Sequence, residues 1–353
     1  MPDLLTSLFF LGRPLSPFYS LLMQVRSRLY TNGLRKREKM DVPVVSVGNL
    51  TMGGTGKTPI VRYIARLLAT HGYKPAIISR GYGGKADRSV NIVSDGKTVF
   101  LDSIQAGDEP RLLAESLPGV PVLTGTVRSH PCRFAIQHFG SDVLILDDGF
   151  QHLSVIRDVD LVLFNATTLA GNNRVFPGGN LREPFSALSR AHAFILTGNS
   201  DELSPRIVQF STFLQEDFPN RPVFLSTYTP SECQEKDSST PIPLERLPSP
   251  LYGFCGIAQP SRFRTTLESC GLQLNGFTEL KDHQSYSPQL LKQIADCATM
   301  AGAKALITTE KDLVKLRPLS PTLPLFSLLM RIEIEKSFSD YLLQKFSSYD
   351  HSK

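Results

Sequence analysis

At 353 residues, with 41% hydrophobic and 20% charged content, the chain is long enough for two ordinary globular domains and too polar for a membrane-spanning bundle. Its five cysteines (Cys132, Cys233, Cys255, Cys270 and Cys297) form no CxxC pair and no zinc spacing, which excludes a disulfide scaffold or zinc module and predicts reduced thiols. The net charge of +5 sits in residues 1–40, with seven cations and two acids, while the rest balances at 31 against 31; this argues against a nucleic-acid-binding body and for a local anionic partner.

Residues 1–40 read as a basic amphipathic segment. Gly12, Arg13, Pro14 and Pro17 interrupt its apolar stretch before the roughly 20 residues a spanning helix needs. No small-residue cleavage site follows a single hydrophobic run, so a secretion signal is not expected. Ser16 as N-cap with Pro17 at the first helical position predicts a helix start. Phe18, Leu21, Leu22, Val25 and Leu29 then share one face, with arginines on the others. Such a helix either packs on the core or lies on an anionic membrane surface.

From Val42 the texture becomes α/β. "VPVVSVGNL" is a short continuous apolar run, as expected of a buried parallel strand. The helix after Gly56 places Ile60, Val61, Ile64, Leu67 and Leu68 on its apolar face. "KPAIISRGYGG", "SDVLILDDGFQH", "VDLVLFNAT" and "AHAFILTG" supply further strands, several separated by helical stretches. The pattern predicts a P-loop NTPase-like, doubly wound, mostly parallel sheet over residues 41–198. Residues 229–250, rich in Pro and Ser, read as a linker or long surface loop. "SPLYGFCGIAQPSRFRTTLESCGL" and "GAKALITTEKDLVKL" restart strand and helix units, so a second, smaller α/β domain is expected over residues 199–353.

The chemistry concentrates in a few segments. In "VGNLTMGGTGKTP", Gly53, Gly54 and Gly56 offer bare backbone N–H groups to a phosphate, Lys57 a charge, and Thr58 a hydroxyl for magnesium. The strict GxxxxGK[ST] spacing is not met, because Thr51 stands at its first glycine. "VLILDDGFQH" ends a hydrophobic strand in Asp147 and Asp148, which at the carboxyl edge of such a sheet face the nucleotide and suit magnesium. Asp108 and Glu109 in "AGDEPRLLAE" precede a helix, where acids are favoured on structural grounds alone. "SRGYGG" (Ser79–Gly84) is a substrate loop or a turn. "TTEKD" (Thr308–Asp312) has the form of a capping box, and His283 in "KDHQSY" is one histidine among seven.

Three functional classes compete on these residues. A partitioning-type ATPase carries a signature lysine where Met52 stands. A regulatory G protein needs an [NT]KxD segment, which "ILTGNSDE" lacks and "TTEKD" fits only loosely. A small-molecule kinase needs an acceptor site, a base and a second lobe, and fits best.

Taken together and in order, "VGNLTMGGTGKTP", "ISRGYGG", "GDEP", "LDDGFQH", "NLREP", "GIAQPSRF", "DHQSY" and "TTEKD" resemble the tetraacyldisaccharide 4'-kinase family, the lipid A 4'-kinases, from about residue 43 to 316. The resemblance implies ATP-dependent phosphorylation of the 4'-hydroxyl of a tetraacylated glucosamine disaccharide 1-phosphate. It implies a peripheral enzyme at the cytoplasmic face of the inner membrane; with the charge confined to the N-terminal segment, an anionic membrane surface is the expected partner, and neither nucleic acid nor a protein partner is expected. Carried over by motif, Asn49, Met52, Gly53, Gly54, Thr55, Gly56, Lys57 and Thr58 hold the nucleotide, and Thr58, Asp147 and Asp148 hold Mg2+. Asp108 takes the acceptor proton, His283 is its partner from the second domain, and Lys57 is catalytic. Glu109, Arg128, Gln151, Arg182 and Glu183 fall on the substrate side. Two departures stand out: Gln284 follows His283 where the family often has a second histidine, and Asn180 occupies a place where a basic residue is common.

Overall fold

The structure, a computed structural model, describes residues 4–198, 204–238 and 240–350. The expected domain boundary between residues 198 and 199 falls at the edge of a stretch outside the described residues. The chain begins with helices α1 (Leu4–Gly12) and α2 (Ser16–Thr31), then β1 (Val44–Asn49), α3 (Lys57–Thr70), β2 (Pro75–Ser79) and β3 (Asn91–Ser94). It continues through α4 (Ser103–Ala106), α5 (Asp108–Ser116), β4 (Val122–Thr124), α6 (Ser129–Phe139), β5 (Val143–Asp147), β6 (Val159–Asn165) and β7 (Ala193–Thr197). Next come α7 (Ser204–Asp217), β8 (Val223–Glu235), β9 (Pro241–Ile242), β10 (Leu251–Cys255), α8 (Pro260–Ser269), β11 (Leu274–Glu279) and α9 (Pro288–Met300). β12 (Ala305–Thr309), α10 (Glu310–Leu316), β13 (Leu325–Ile334) and α11 (Lys336–Asp350) complete it.

β1, β2, β5 and β7 are buried along their whole length, because helices cover both faces of a parallel sheet. α3 buries Ile60, Val61, Ile64, Ala65 and Leu68, spaced to fall on one side of a 3.6-residue helix. The strands join one sheet in the order β11-β10-β12-β13-β8-β7-β6-β1-β5-β2-β4-β3. Neighbours are parallel except at β13–β8 and β3–β4 and for the short β9, which pairs antiparallel with β8.

β8 decides the arrangement of the two halves. Its first residues pair with β7, ending at Ser226 beside Thr197, and it then runs on past the carboxyl ends of the first set of strands. Beyond that edge it pairs antiparallel with β13, from Ser226 opposite Ile334 to Glu235 opposite Phe326. β10, β11 and β12 run parallel to β13, so they point back toward the first half. The carboxyl ends of both sets of strands therefore face one another. α11 returns to the first core, where Phe338, Leu342 and Phe346 pack with Val45 and Ile64.

Two local expectations are corrected. Residues 229–235, read from Pro and Ser content as linker, are the second half of β8. The register shifts so that Met330 pairs with Pro230 and Leu329 with Glu232, a bulge that places the proline where no ladder N–H is needed. Ser16 is not the N-cap of α2; that position is Leu15. The Ser16 hydroxyl instead donates to the Val175 carbonyl and accepts from the Gly178 N–H, both at 2.8 Å. A buried tertiary partner has taken the side chain that a free helix would spend on its own end. All five cysteines are free.

Candidate active site

The segment Leu50 to Gly56 crosses from β1 to α3 with its carbonyls held from behind. Asn49 Nδ2 donates to the carbonyls of Thr51 (2.7 Å) and Gly53 (3.5 Å), and Asn165 Nδ2 to Gly54 (3.4 Å). Thr197 Oγ1 donates to Thr55 (2.8 Å), and Tyr228 Oη to Gly56 (3.1 Å). No described residue accepts from the N–H groups of Gly53 to Gly56, so these donors are left for an anion at the start of α3. "NLREP" buttresses the same turn: the Met52 N–H donates to the Asn180 carbonyl at 2.7 Å and the Arg182 N–H to the Leu50 carbonyl at 2.8 Å. Thr51, in place of the usual first glycine, bridges Leu181. The Met52 side chain is exposed.

Lys57 Nζ lies 3.3 Å from Asn49 Oδ1 and 3.4 Å from Asp148 Oδ1. Asp148 also receives Arg182 Nη1 at 3.1 and 2.9 Å on its two oxygens. Burial opposes its ionisation, but Lys57 and Arg182 outweigh burial and lower its pKa. Asp147 is different. It is buried, its Oδ2 accepts from Ser79 Oγ at 3.0 Å, and its Oδ1 has no partner among the described residues. Burial, then the charges of Glu109 and Asp148, push its carboxyl up against the pull of Lys57 and Arg128. A buried carboxylate oxygen without a donor suits a hard dication, and Thr58, half-buried in the first turn of α3, offers a hydroxyl from the phosphate-loop side. Among the described residues no cluster of three or more His, Cys, Asp or Glu could hold a metal alone. A magnesium ion here would complete its shell with phosphate oxygens and water, as this ion commonly does.

His283 Nδ1, from the second set of elements, is 3.3 Å from Asp108 Oδ2, although 175 positions separate them. His283 has φ +57°, a left-handed turn just after Asp282 that aims the ring out of the second half. Lys311 Nζ lies 3.2 Å from the other ring nitrogen, Nε2. An ammonium can only donate, so Nε2 accepts and Nδ1 carries the proton given to Asp108. Asp108 itself opens α5 after Gly107, whose φ is +91° and whose Cβ, if present, would lie 2.6 Å from the Tyr82 carbonyl. The "RGYGG" turn thus packs directly under the start of the helix that carries Asp108 and Glu109. The exposed Tyr82 ring stands free of that packing.

The remaining expected residues divide. Gln151 joins the site: its Nε2 donates to the Asn49 carbonyl at 2.9 Å, and Arg182 Nη1 is 3.4 Å from its Oε1. Arg128 is buried, with no partner for Nε or Nη1 among the described residues; burial lowers its pKa while Asp148 and Asp147 raise it. Glu183 points elsewhere. Its Oε2 binds Arg190 at 2.9 Å, and Arg190 stacks over the Phe150 ring, so this carboxylate braces the fold beneath the loop. Sequence reasoning missed Ser79, Thr197, Tyr228, Lys311 and Lys315. Ser79 and Lys311 lay inside motifs already noticed; Tyr228 carried no signal, because only β8's crossing brings it under Gly56.

"TTEKD" is the capping box its spacing predicts: Thr309 is the N-cap of α10 and its hydroxyl accepts from the Asp312 N–H at 3.1 Å. Asp312 is fully buried, accepting from the Gly256 N–H at 2.9 Å and the Thr309 hydroxyl at 2.8 Å.

A glycine turn opening onto a helix at the carboxyl edge of a parallel sheet, with acids at the adjoining strand end, defines a P-loop NTPase-like α/β protein. A family model described as tetraacyldisaccharide-1-P 4'-kinase matches residues 8–347. The chain is 47% identical over 342 residues to the tetraacyldisaccharide 4'-kinase of Desulfotalea psychrophila, covering 97% of this chain and 98% of that protein. It is 40% identical over 339 residues to that of Syntrophus aciditrophicus, covering 93% and 91%. Among solved structures it matches LpxK from Aquifex aeolicus in complex with ATP, with a TM-score of 0.79 and 30% identity over 98% of this chain and all of that one. The chain belongs to the tetraacyldisaccharide 4'-kinase family.

Proposed function

We propose that this chain transfers the γ-phosphoryl group of ATP to the 4'-hydroxyl of a tetraacylated glucosamine disaccharide 1-phosphate, in the cleft between its two halves. The observation that carries the reading is the meeting of Asp108 and His283, one from each half, at 3.3 Å, next to Glu109, whose charge acts on Asp147. A plain nucleotide hydrolase or switch has no need of an acceptor base supplied by one half and oriented by the other.

In this reading the N–H groups of Gly53 to Gly56 and Lys57 hold the β and γ phosphates, with Asn49, Met52 and Thr55 framing the loop. Thr58, Asp147 and Asp148 would hold Mg2+, which would supply positive charge to the phosphates. The acceptor hydroxyl loses its proton to Asp108 as its oxygen bonds to the γ phosphorus and the bond to the ADP oxygen breaks. His283 donates through Nδ1 to Asp108 Oδ2 and fixes the carboxylate's orientation. Glu109, Arg128, Gln151 and Arg182 line the acceptor side, and Glu183 acts from beneath through Arg190. We propose residues 41–198 and 199–353 as the two functional units, the second returning α11 and the first residues of β8 to the first core, with residues 1–40 as a separate basic segment.

The N-terminal segment supports a peripheral seat on the inner membrane's cytoplasmic face. Among the described residues no helix is long and apolar enough to cross a membrane. Yet Phe10, Leu11, Leu15, Phe18, Leu21 and Leu22 are exposed, while Ser16 and Arg26 pin α2 to the body, the latter through the Gln151 carbonyl at 2.9 Å. Polar anchoring inward with apolar side chains outward suits a helix resting in the headgroup region of anionic lipid.

The test is to incubate the protein with ATP, magnesium and a lipid disaccharide 1-phosphate and to score phosphate on the lipid against free phosphate. Lipid-dependent transfer is expected. Free phosphate released at the same rate with or without the lipid would overturn the reading.

A further inference from the structure

Lys315 sits near the end of α10 with its side chain only 9% exposed. Its ammonium lies 3.1 Å from Asp312 Oδ1, 3.5 Å from Asp108 Oδ2 and 5.3 Å from the centre of the Tyr286 ring. Asp312 cannot move to meet it, because its other oxygen is tied to the Gly256 N–H and the Thr309 hydroxyl. Lys315 is thus held on two sides by the second half, and its third contact is the carboxylate of the first half's Asp108. His283, by comparison, is 51% exposed and reaches Asp108 from a turn. Both His283 and Lys315 address the same oxygen, Oδ2, and no described residue bonds Oδ1.

We propose that Lys315 is a positioning residue for phosphoryl transfer. It clamps Asp108 by Oδ2, turning Oδ1 toward the acceptor hydroxyl, and does so only when the two halves are together. The inference rests on Asp108 being the acceptor's base. The physical reason is that an aspartate at the first turn of a helix has two free torsions, and an exposed histidine on a turn restrains them weakly. A desolvated ammonium on a helix, 3.1 Å from the fixed Asp312 carboxylate and 3.5 Å from Asp108, adds a charge contact from a rigid element beside the hydrogen bond from His283. The charge balance also closes. As the hydroxyl proton moves to Oδ1, Asp108 becomes neutral, and the ammonium keeps Asp312 as its counter-ion while ADP leaves with the phosphoryl bond's electron pair.

The test compares Lys315→Met, Lys315→Gln and Lys315→Arg in the full chain, each with its melting temperature. The Met and Gln variants should lose about 10- to 100-fold in kcat, the scale of a misplaced reacting group, with KM for ATP within about twofold of wild type. The Arg variant should recover much of the loss. In an Asp108→Asn background Lys315→Gln should add almost nothing, because the two act as one unit. If the Met variant fails to fold, the Gln and Arg pair still decides the matter. A folded Gln variant with wild-type kcat, or the same fold-loss with and without Asp108, would overturn the inference. Wild-type kcat in Asp108→Asn itself would sink the base assignment beneath it, a distinct result.

Discussion

Replacing Gly56 by alanine should damage the phosphate loop by a calculable amount, and shortening Tyr228 should repair part of the damage. Gly56 has φ +74°, a left-handed conformation that costs a residue with a Cβ about 1–2 kcal/mol. A Cβ there would lie 1.8 Å from Tyr228 Oη and 2.7 Å from Cζ, so the ring must withdraw. Burial pushes the Tyr228 hydroxyl up to about 12, so it remains a donor near neutral pH, and its bond to the Gly56 carbonyl is lost when it withdraws. That bond is worth about 1 kcal/mol net, which brings the expected loss to about 2–3 kcal/mol before repacking. The assay is urea unfolding of Gly56→Ala, Tyr228→Phe and the double variant, with ATP affinity by calorimetry. Tyr228→Phe alone should lose about 1 kcal/mol. The double variant removes the hydroxyl overlap but keeps the strained φ, so it should lose clearly less than the two singles added. ATP binding by Gly56→Ala should weaken about tenfold, about 1.4 kcal/mol of binding free energy, separately from the loss of folding stability. A strictly additive double variant, or a Gly56→Ala protein within about 0.5 kcal/mol of wild type, would refute the argument that loop and β8 support each other.

Other outcomes follow from the same geometry. Lys57→Ala should lose about 3–4 kcal/mol of transition-state stabilisation, roughly 10²- to 10³-fold in rate, at unchanged melting temperature; steady-state kinetics with activity within threefold of wild type would count against its role. Asp108→Ala and His283→Ala should each lower kcat by about 10²- to 10⁴-fold, and the double variant should be little worse than the poorer single; multiplicative losses in the double would separate the two residues. Deleting residues 1–30 should weaken sedimentation with anionic liposomes and raise the apparent KM for lipid, with salt weakening the binding of the intact chain. A folded truncated protein that still sediments fully would make α1 and α2 purely structural.

Much of this molecule is written locally. An unbroken apolar run such as Val143 to Leu146 has no stable place except a strand covered on both faces. Gly53, Gly54, Gly56, Lys57 and Thr58 announce a phosphate site because bare N–H groups, a cation and a hydroxyl at that spacing leave little else to do. Thr309 and Asp312 declare a helix start by the same short-range logic. Asp108 and His283 are different: each alone reads as an ordinary cap or surface residue, and it took eight motifs in order, matched to a family, to suggest that they belong together. What joins them in space is β8. Its Pro- and Ser-rich second half looks like linker, since pattern reading scores side chains and a strand needs only free backbone with a partner. That partner, β13, lies about a hundred residues further along, beyond the reach of any local signal. The pairing is antiparallel, so it turns the second set of strands to face the first and brings Tyr228 under Gly56. It also carries His283 and Lys315 to Asp108. Chemistry could be named from neighbours in sequence, but the distances at which it operates were set by a long-range backbone pairing that no short stretch encodes.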